Sequence, residues 1–169
     1  MKRLIPLLFL LIVLLISTFL IAQDEPELRY GMYVNRKGES ELGVIRNGRI
    51  YYTTMIESRM MVGQNSVMLV KKDSLGELLT SEGETYLYEF TTLVIDTFNT
   101  SKIILSLLHG TIEPKLSNMP GDYPFIAKNP AMEIKTLNNT NYKLNYNRKK
   151  EKALVEVKEG SVRVYSALR

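Results

Sequence analysis

Leu42-Gly43-Val44-Ile45-Arg46, then Asn47-Gly48, then Arg49-Ile50-Tyr51-Tyr52-Thr53: these residues set the reading of the whole chain. Two runs rich in β-branched and aromatic side chains flank an Asn-Gly pair. A two-residue type I′ turn needs positive φ at both central positions, which Asn and Gly accept at least cost, so the stretch predicts an antiparallel hairpin. Working outward, similar short runs recur between Gly, Asn, Asp, Ser and Pro. They are Ser66–Lys71, Glu77–Thr80, Thr85–Phe90, Thr92–Phe98, Lys102–Leu108, Phe125–Lys128, Met132–Leu137, Tyr142–Tyr146, Ala153–Lys158 and Ser161–Tyr165. Turn signals fall about every 8–12 residues, the spacing of sandwiches, barrels and solenoids of short strands.

Several of these runs alternate. Val155 and Val157 oppose Glu156 and Lys158, Met132 and Ile134 oppose Glu133 and Lys135, and Tyr142, Leu144 and Tyr146 oppose Lys143, Asn145 and Asn147. Such period-two patterns give a strand one dry and one wet face. Ile103-Ile104-Leu105-Ser106-Leu107-Leu108 is apolar on both faces and is expected at the centre of the core. Ten tyrosines and no tryptophan suit strands with half-exposed aromatic positions. The expected fold is all-β: short antiparallel strands in a solenoid-like or two-layer domain, preceded by one N-terminal hydrophobic helix. The longest turn-like region runs from Pro114 to Pro124 and reads as a loop within the domain.

The N-terminal segment is of another kind. Lys2 and Arg3 precede 19 uncharged residues, Leu4–Ala22, and Asp24, Glu25 and Glu27 follow them. As a helix at about 1.5 Å per residue this run would cover about 28 Å, close to the roughly 30 Å apolar core of a bilayer. Residues 1–22 read as a signal peptide or signal anchor, and 23–169 as one β domain. The run exceeds an ordinary signal-peptide core, while Ala22 before Gln23-Asp24-Glu25-Pro26 fits cleavage. The flanking charges place the C-terminal part across the membrane. The expected location is extracytoplasmic, periplasmic or anchored to the inner membrane through Leu4–Ala22.

The chain has a net charge of +4, and without Lys2 and Arg3 it holds 20 basic against 18 acidic residues, about +2. That balance gives no reason to expect nucleic acid. The absence of cysteine excludes disulfides, thiolate metal sites and a cysteine nucleophile. His109 is the only histidine, and its place before Gly110 at the end of an apolar run suits a turn residue better than a metal ligand or general base. Asp73, Glu77, Glu82 and Glu84 lie in turn-rich sequence and are expected to be solvated. Arg148-Lys149-Lys150-Glu151-Lys152 reads as a charged hairpin loop, with contact to anionic lipid or polymer as the sharper alternative. Asn99-Thr100-Ser101 and Asn138-Asn139-Thr140 match the glycosylation acceptor pattern, which chance often supplies. Met55, Met60, Met61 and Met68 are expected as core filler. No catalytic, cofactor-binding or metal site is expected.

Four segments of the C-terminal part follow one another in a familiar order: Leu107-Leu108-His109-Gly110-Thr111-Ile112, Phe125-Ile126-Ala127-Lys128-Asn129-Pro130, Asn139-Thr140-Asn141-Tyr142-Lys143-Leu144, and Val155-Glu156-Val157-Lys158-Glu159-Gly160-Ser161-Val162-Arg163-Val164. In this order and spacing they resemble the FecR family of bacterial extracytoplasmic domains, with looser likeness from about Tyr30 to Phe98. Asn129 stands where the family has Thr, and Asn139 where it has Gly. The resemblance implies a β-rich fold used for sensing or protein interaction. Only Met1-Lys2-Arg3 precede the apolar run, so the family's cytoplasmic anti-sigma segment is not expected here. The expected function is therefore non-catalytic binding, sensing or protein interaction in the cell envelope, with an envelope protein or cell-wall polymer as partner. A glycan hydrolase using a carboxylate pair, or a structural component of an envelope complex, stands as the alternative.

Overall fold

The computed structural model describes residues 26–56, 58–136 and 138–166. The expected helix over Leu4–Ala22 and the last residue of the expected strand Met132–Leu137 lie outside the described residues.

The described chain is all-β, with fourteen strands: β1 (Gly31–Lys37), β2 (Ser40–Arg46), β3 (Arg49–Met55), β4 (Arg59–Val62), β5 (Ser66–Val70), β6 (Leu75–Thr80), β7 (Gly83–Leu87), β8 (Thr92–Phe98), β9 (Ile103–Leu116), β10 (Phe125–Asn129), β11 (Met132–Thr136), β12 (Thr140–Asn147), β13 (Lys152–Glu159) and β14 (Arg163–Ser166). The hairpin that opened the sequence reading is β2–β3. Asn47 and Gly48 have φ of 50° and 72°, and Arg46 faces Arg49 across the turn.

All fourteen strands join in one curled sheet. One leaf runs β3-β2-β5-β8-β9-β10-β11-β14, and the other runs β4-β1-β6-β7-β9-β12-β13. Strand β9 belongs to both. Ile103–Leu107 and His109 pair with β8, and Ile103–Ser106 pair with β10; Gly110–Leu116 pair with β7 and β12. The bend between the two parts is at Gly110, whose φ is 98°. A Cβ there would lie 2.5 Å from both Cα and Oγ1 of Thr91, so the position admits only glycine.

The bend also shifts the burial register. Ile103, Leu105 and Leu107 are buried before it, and Ile112, Pro114 and Leu116 after it, so the inward positions change from odd to even. Both leaves close on a single core, to which Met68, Ile95, Leu105 and Phe125 contribute from one and Tyr33, Leu78, Leu87 and Leu144 from the other. Each such fully buried large apolar side chain contributes about 1.5–3 kcal/mol relative to exposure.

Several expectations are corrected. His109 is not a turn residue, because β9 continues through it to Leu116. Pro114–Leu116 therefore belong to a strand and not to a loop. Pro114 has no N–H, and the β9–β12 ladder has no pair at Glu113 or Pro114. The sheet is not wholly antiparallel, since β10 lies parallel to β9. Strands β1 and β4 escaped the sequence reading: β1 buries Tyr33 and Val34 side by side, without alternation, and β4 is only 4 residues long. Val157 is 44% exposed, because β13 is an edge strand paired only with β12. Of the methionines, Met68 is core and Met60 packs against it, but Met55 and Met61 are exposed.

Candidate functional site

The two parts of β9 span the molecule between two rims. At the near rim the N-terminal stretch joins the sheet. Leu28 bridges to Asn99, Arg29 N–H donates to Phe98 O (3.0 Å), and Thr100 N–H donates to Glu27 O (2.9 Å). The Arg29 guanidinium lies over the rings of Phe98 (5.7 Å) and Tyr123 (5.4 Å) and donates to Glu82 Oε1 at 2.6 Å. Glu82 is 1% exposed, so this cation compensates a buried charge. At the far rim lie the β7–β8 turn with Phe90, the bend at Gly110, and the hairpin from Arg148 to Glu151. Seven strand residues at about 3.4 Å each separate the rims by about 24 Å.

The outer face of the second leaf is polar and organised in cross-strand rows. Glu77 faces Tyr86, Tyr86 faces Glu113, and Lys143 faces Glu156. The Glu113 carboxylate is almost wholly buried; it accepts from Tyr88 Oη (2.6 Å) and from Lys158 Nζ (2.7 Å). Burial alone would raise the Glu113 pKa, but the hydrogen bonds from Lys158 and Tyr88 and the charges of Lys158 and Lys115 outweigh it and hold the group below the usual carboxylate range. Tyr88 is pushed up to about 12 by burial and by its bond to Glu113. Two lysines lie flat on tyrosines of this face: Lys115 Nζ is 4.6 Å from the Tyr86 ring centre and Lys143 Nζ 4.5 Å from that of Tyr88. Tyr86 Oη donates to Glu84 Oε2 (2.7 Å), and this bond, with burial and the nearby Glu77, raises its pKa.

Where this face meets the far rim there is an open groove of about 340 Å³, lined by Tyr88, Phe90, His109, Lys143, Asn145 and Asn147 among others. Phe90 stands at its edge, 52% exposed and with φ of 60°. His109 Nδ1 accepts from the backbone N–H of Arg148 at 3.4 Å, which joins β9 to the basic hairpin.

The residues singled out from sequence are scattered between these places. Arg148-Lys149-Lys150-Glu151 form the exposed β12–β13 turn, as expected, and β13 begins at Lys152. Glu77 and Glu82 are not solvated: each is 1% exposed and bound to an arginine, Glu77 to Arg36 Nε (2.6 Å) and Glu82 to Arg29. Asp73 and Glu84 are exposed, and Asp73 N–H donates to Glu89 Oε2 (2.9 Å). Asn99 is buried; its Oδ1 accepts from Ser101 N, Ser101 Oγ and Lys102 N, a turn-forming role that accounts for its place in the acceptor-like pattern. Among the described residues no three His, Cys, Asp or Glu side chains gather as metal ligands. Sequence reasoning missed Phe90, Glu113 and the stacked Tyr–Lys pairs. A signal for the pairs was present: Tyr86 and Tyr88 are two apart in one short run, and Glu113 and Lys115 two apart in another.

Compared with known protein families, with the curated proteins and with the solved structures, the chain matches none.

Proposed function

We propose that this chain is a non-catalytic binding domain of the bacterial cell envelope, FecR-like in its C-terminal half and carried outside the cytoplasm by Leu4–Ala22. The observation that carries the binding reading is the second leaf's outer face. Its side chains are preorganised in fixed pairs: Glu113 with Lys158 and Tyr88, Glu77 with Arg36, Lys143 on Tyr88, Lys115 on Tyr86. A surface whose polar groups are already ordered loses little entropy when a partner covers it. The same arrangement ranks the hydrolase reading lower. A glycosidase acid must hold a proton near neutrality, whereas the partners of Glu113 keep it ionised.

Polarity of the molecule supports the location. The apolar segment Leu4–Ala22 lies a few residues before Glu27 and Leu28, which are tied to the near rim. A bilayer holding that segment would adjoin the near rim, leaving the far rim and its groove directed outward. Of the four FecR-like segments, those in β9, β12 and β13 belong to the leaf that carries this face, while β10 and β14 belong to the other. The partner expected is an envelope protein or wall polymer, met without turnover.

The test is capture by the full chain, reconstituted in neutral lipid nanodiscs, from an envelope extract at low, physiological and high salt. A component retained at high salt and lost on Lys143→Ala with Lys158→Ala agrees with the proposal. Absence of any retained component at every salt concentration would sink it. Protease accessibility of the domain in intact cells, before and after the envelope is opened, checks its location separately.

A further inference from the structure

Resting on the envelope-binding reading and naming its ligand class, we propose that the far-rim groove binds an acidic sugar unit, a pyranose bearing a carboxylate, as part of an anionic envelope glycan.

Phe90 is the first argument. Single exposed apolar side chains are ordinary on protein surfaces, and exposure alone would mean nothing. A bulky residue in the left-handed region is not ordinary; such conformations persist where the surrounding structure imposes them, and they gather at functional sites. Here the clamp is visible. Thr91 Oγ1 donates to Thr111 O and accepts from Thr111 N–H, both at 3.0 Å, and Val70 N–H donates to Thr91 O at 2.9 Å. The next turn of chain packs on Gly110 so closely that a Cβ there would sit 2.8 Å from Phe90 O. A rigid backbone thus holds an aromatic ring out in solvent at the edge of a groove.

The groove's polar atoms are the second argument. Asn145 Nδ2 donates to Thr111 Oγ1 (2.6 Å), which leaves its Oδ1 as an acceptor; Asn147 Oδ1 accepts from Lys150 N–H (3.1 Å), which leaves its Nδ2 as a donor. In neutral His109, Nδ1 accepts from Arg148 N–H, so the ring's own N–H is on Nε2. Donor and acceptor side by side match adjacent sugar hydroxyls, and an exposed ring face matches the C–H face of a pyranose. Charge is the third argument. Lys143 and Glu89 both line the groove, and Arg148, Lys149 and Lys150 form the exposed turn that follows the lining residue Asn147. Against these four cations stand three acids of this rim: Glu89, which lines the groove and accepts from the backbone N–H of Asp73, exposed Asp73 itself, and Glu151 on the basic hairpin. The balance favours a carboxylate. At about 340 Å³ the groove is at the small end of ligand sites, suited to one or two rings and not to a folded partner.

The test uses the full chain in neutral nanodiscs, titrated calorimetrically with tetragalacturonate, with maltotetraose as the uncharged counterpart, with phosphatidylglycerol vesicles, and with a short single-stranded oligonucleotide. Tetragalacturonate should bind at least about tenfold tighter than maltotetraose. Phe90→Ala should weaken it about tenfold, the scale of one ring–aromatic stack, and Asn145→Ala about tenfold through the lost hydrogen bond. Phe90→Gly should do the same while relieving the backbone, so loss of binding is not loss of fold. Arg49→Ala, on the distant β2–β3 hairpin, removes a like charge and should change nothing. No binding of tetragalacturonate, binding untouched by both Phe90 variants, or tighter binding of vesicles or oligonucleotide would overturn the assignment. If Phe90→Gly still captures the envelope component that the wild type captures, only this site falls; if the wild type captures nothing, the wider reading falls with it.

Discussion

The two parts of β9 share a strand and little else. From Ile103 to Leu108 the chain is apolar on both faces; the inward residues fill the core and Ile104 and Leu108 are half-buried on the other side. There the one outward polar residue, Ser106, donates to Asp96, which also pairs with Lys128 (2.6 and 2.8 Å). From Gly110 to Leu116 the inward residues are again dry, but Thr111, Glu113 and Lys115 face outward into the paired charges of the polar face. The difference teaches that one part specifies the core and the other displays chemistry, and that Gly110, which shifts the alternation by one place, is what lets a single strand do both. A shift of this kind exchanges the two faces of a strand, so misplacing it would bury Glu113 and Lys115 in the core.

The sharpest way to break the contrast is at the bend. Gly110→Ala requires a positive φ of an L-residue and drives a Cβ into Thr91, and should cost about 3–5 kcal/mol or prevent folding. Next comes the core part: Leu105→Ala should cost about 2–5 kcal/mol, read by denaturant titration, with the surface chemistry of the polar face intact. Smaller effects belong to the other part. Glu113→Gln should cost about 1–2 kcal/mol at neutral pH, because Lys158 is more than a third exposed and can turn to water once its partner is gone.

The pH dependence of that last effect has a definite sign. The folded Glu113 has a pKa below its unfolded value, so its stabilisation is present above about pH 4.5 and is lost as pH falls through the lower folded value. The gap between wild type and Glu113→Gln should therefore close on acidification. Tyr88 behaves oppositely: its folded pKa of about 12 exceeds 10, so its contribution is complete below pH 10 and is lost on rising toward pH 12. Tyr88→Phe should flatten the alkaline limb of the stability curve. The smallest effect, and the one of opposite sign, is at the rim. Phe90→Gly should raise stability by about 0.5–1 kcal/mol, seen as a small rise in Tm; a fall would show that the ring is packed and not displayed.

How much of this could be read beforehand follows the same division. The β2–β3 hairpin was legible because Asn47-Gly48 names its turn locally, and Tyr142, Leu144 and Tyr146 announced their buried face by strict alternation. Ile103–Leu108 showed itself as central because a strand dry on both sides needs no phase to be recognised. Beyond His109 the phase changed, and reading stopped where β9 did not. His109-Gly110 looked like an ending because Gly is a turn residue far more often than a hinge within a strand. The candidate site was mostly hidden. Glu77, Glu82 and Glu113 owe their burial to Arg36, Arg29 and Lys158, each more than 40 positions away in sequence, and no local pattern reports such partners. Phe90 was seen only as the end of the expected strand Thr85–Phe90, whereas β7 stops at Leu87 and the left-handed backbone of Phe90 is imposed by Thr91 and Gly110.

A strand held in common by both leaves leaves neither of them able to melt alone. Peeling β7 and β12 from β9 would strip the C-terminal part of the very strand whose N-terminal part seals β8 and β10, so the domain should open as one cooperative unit. Amide exchange along β9 should accordingly be the slowest in the molecule and uniform across the bend, and a nick in any rim turn should leave the fragments clasped around it.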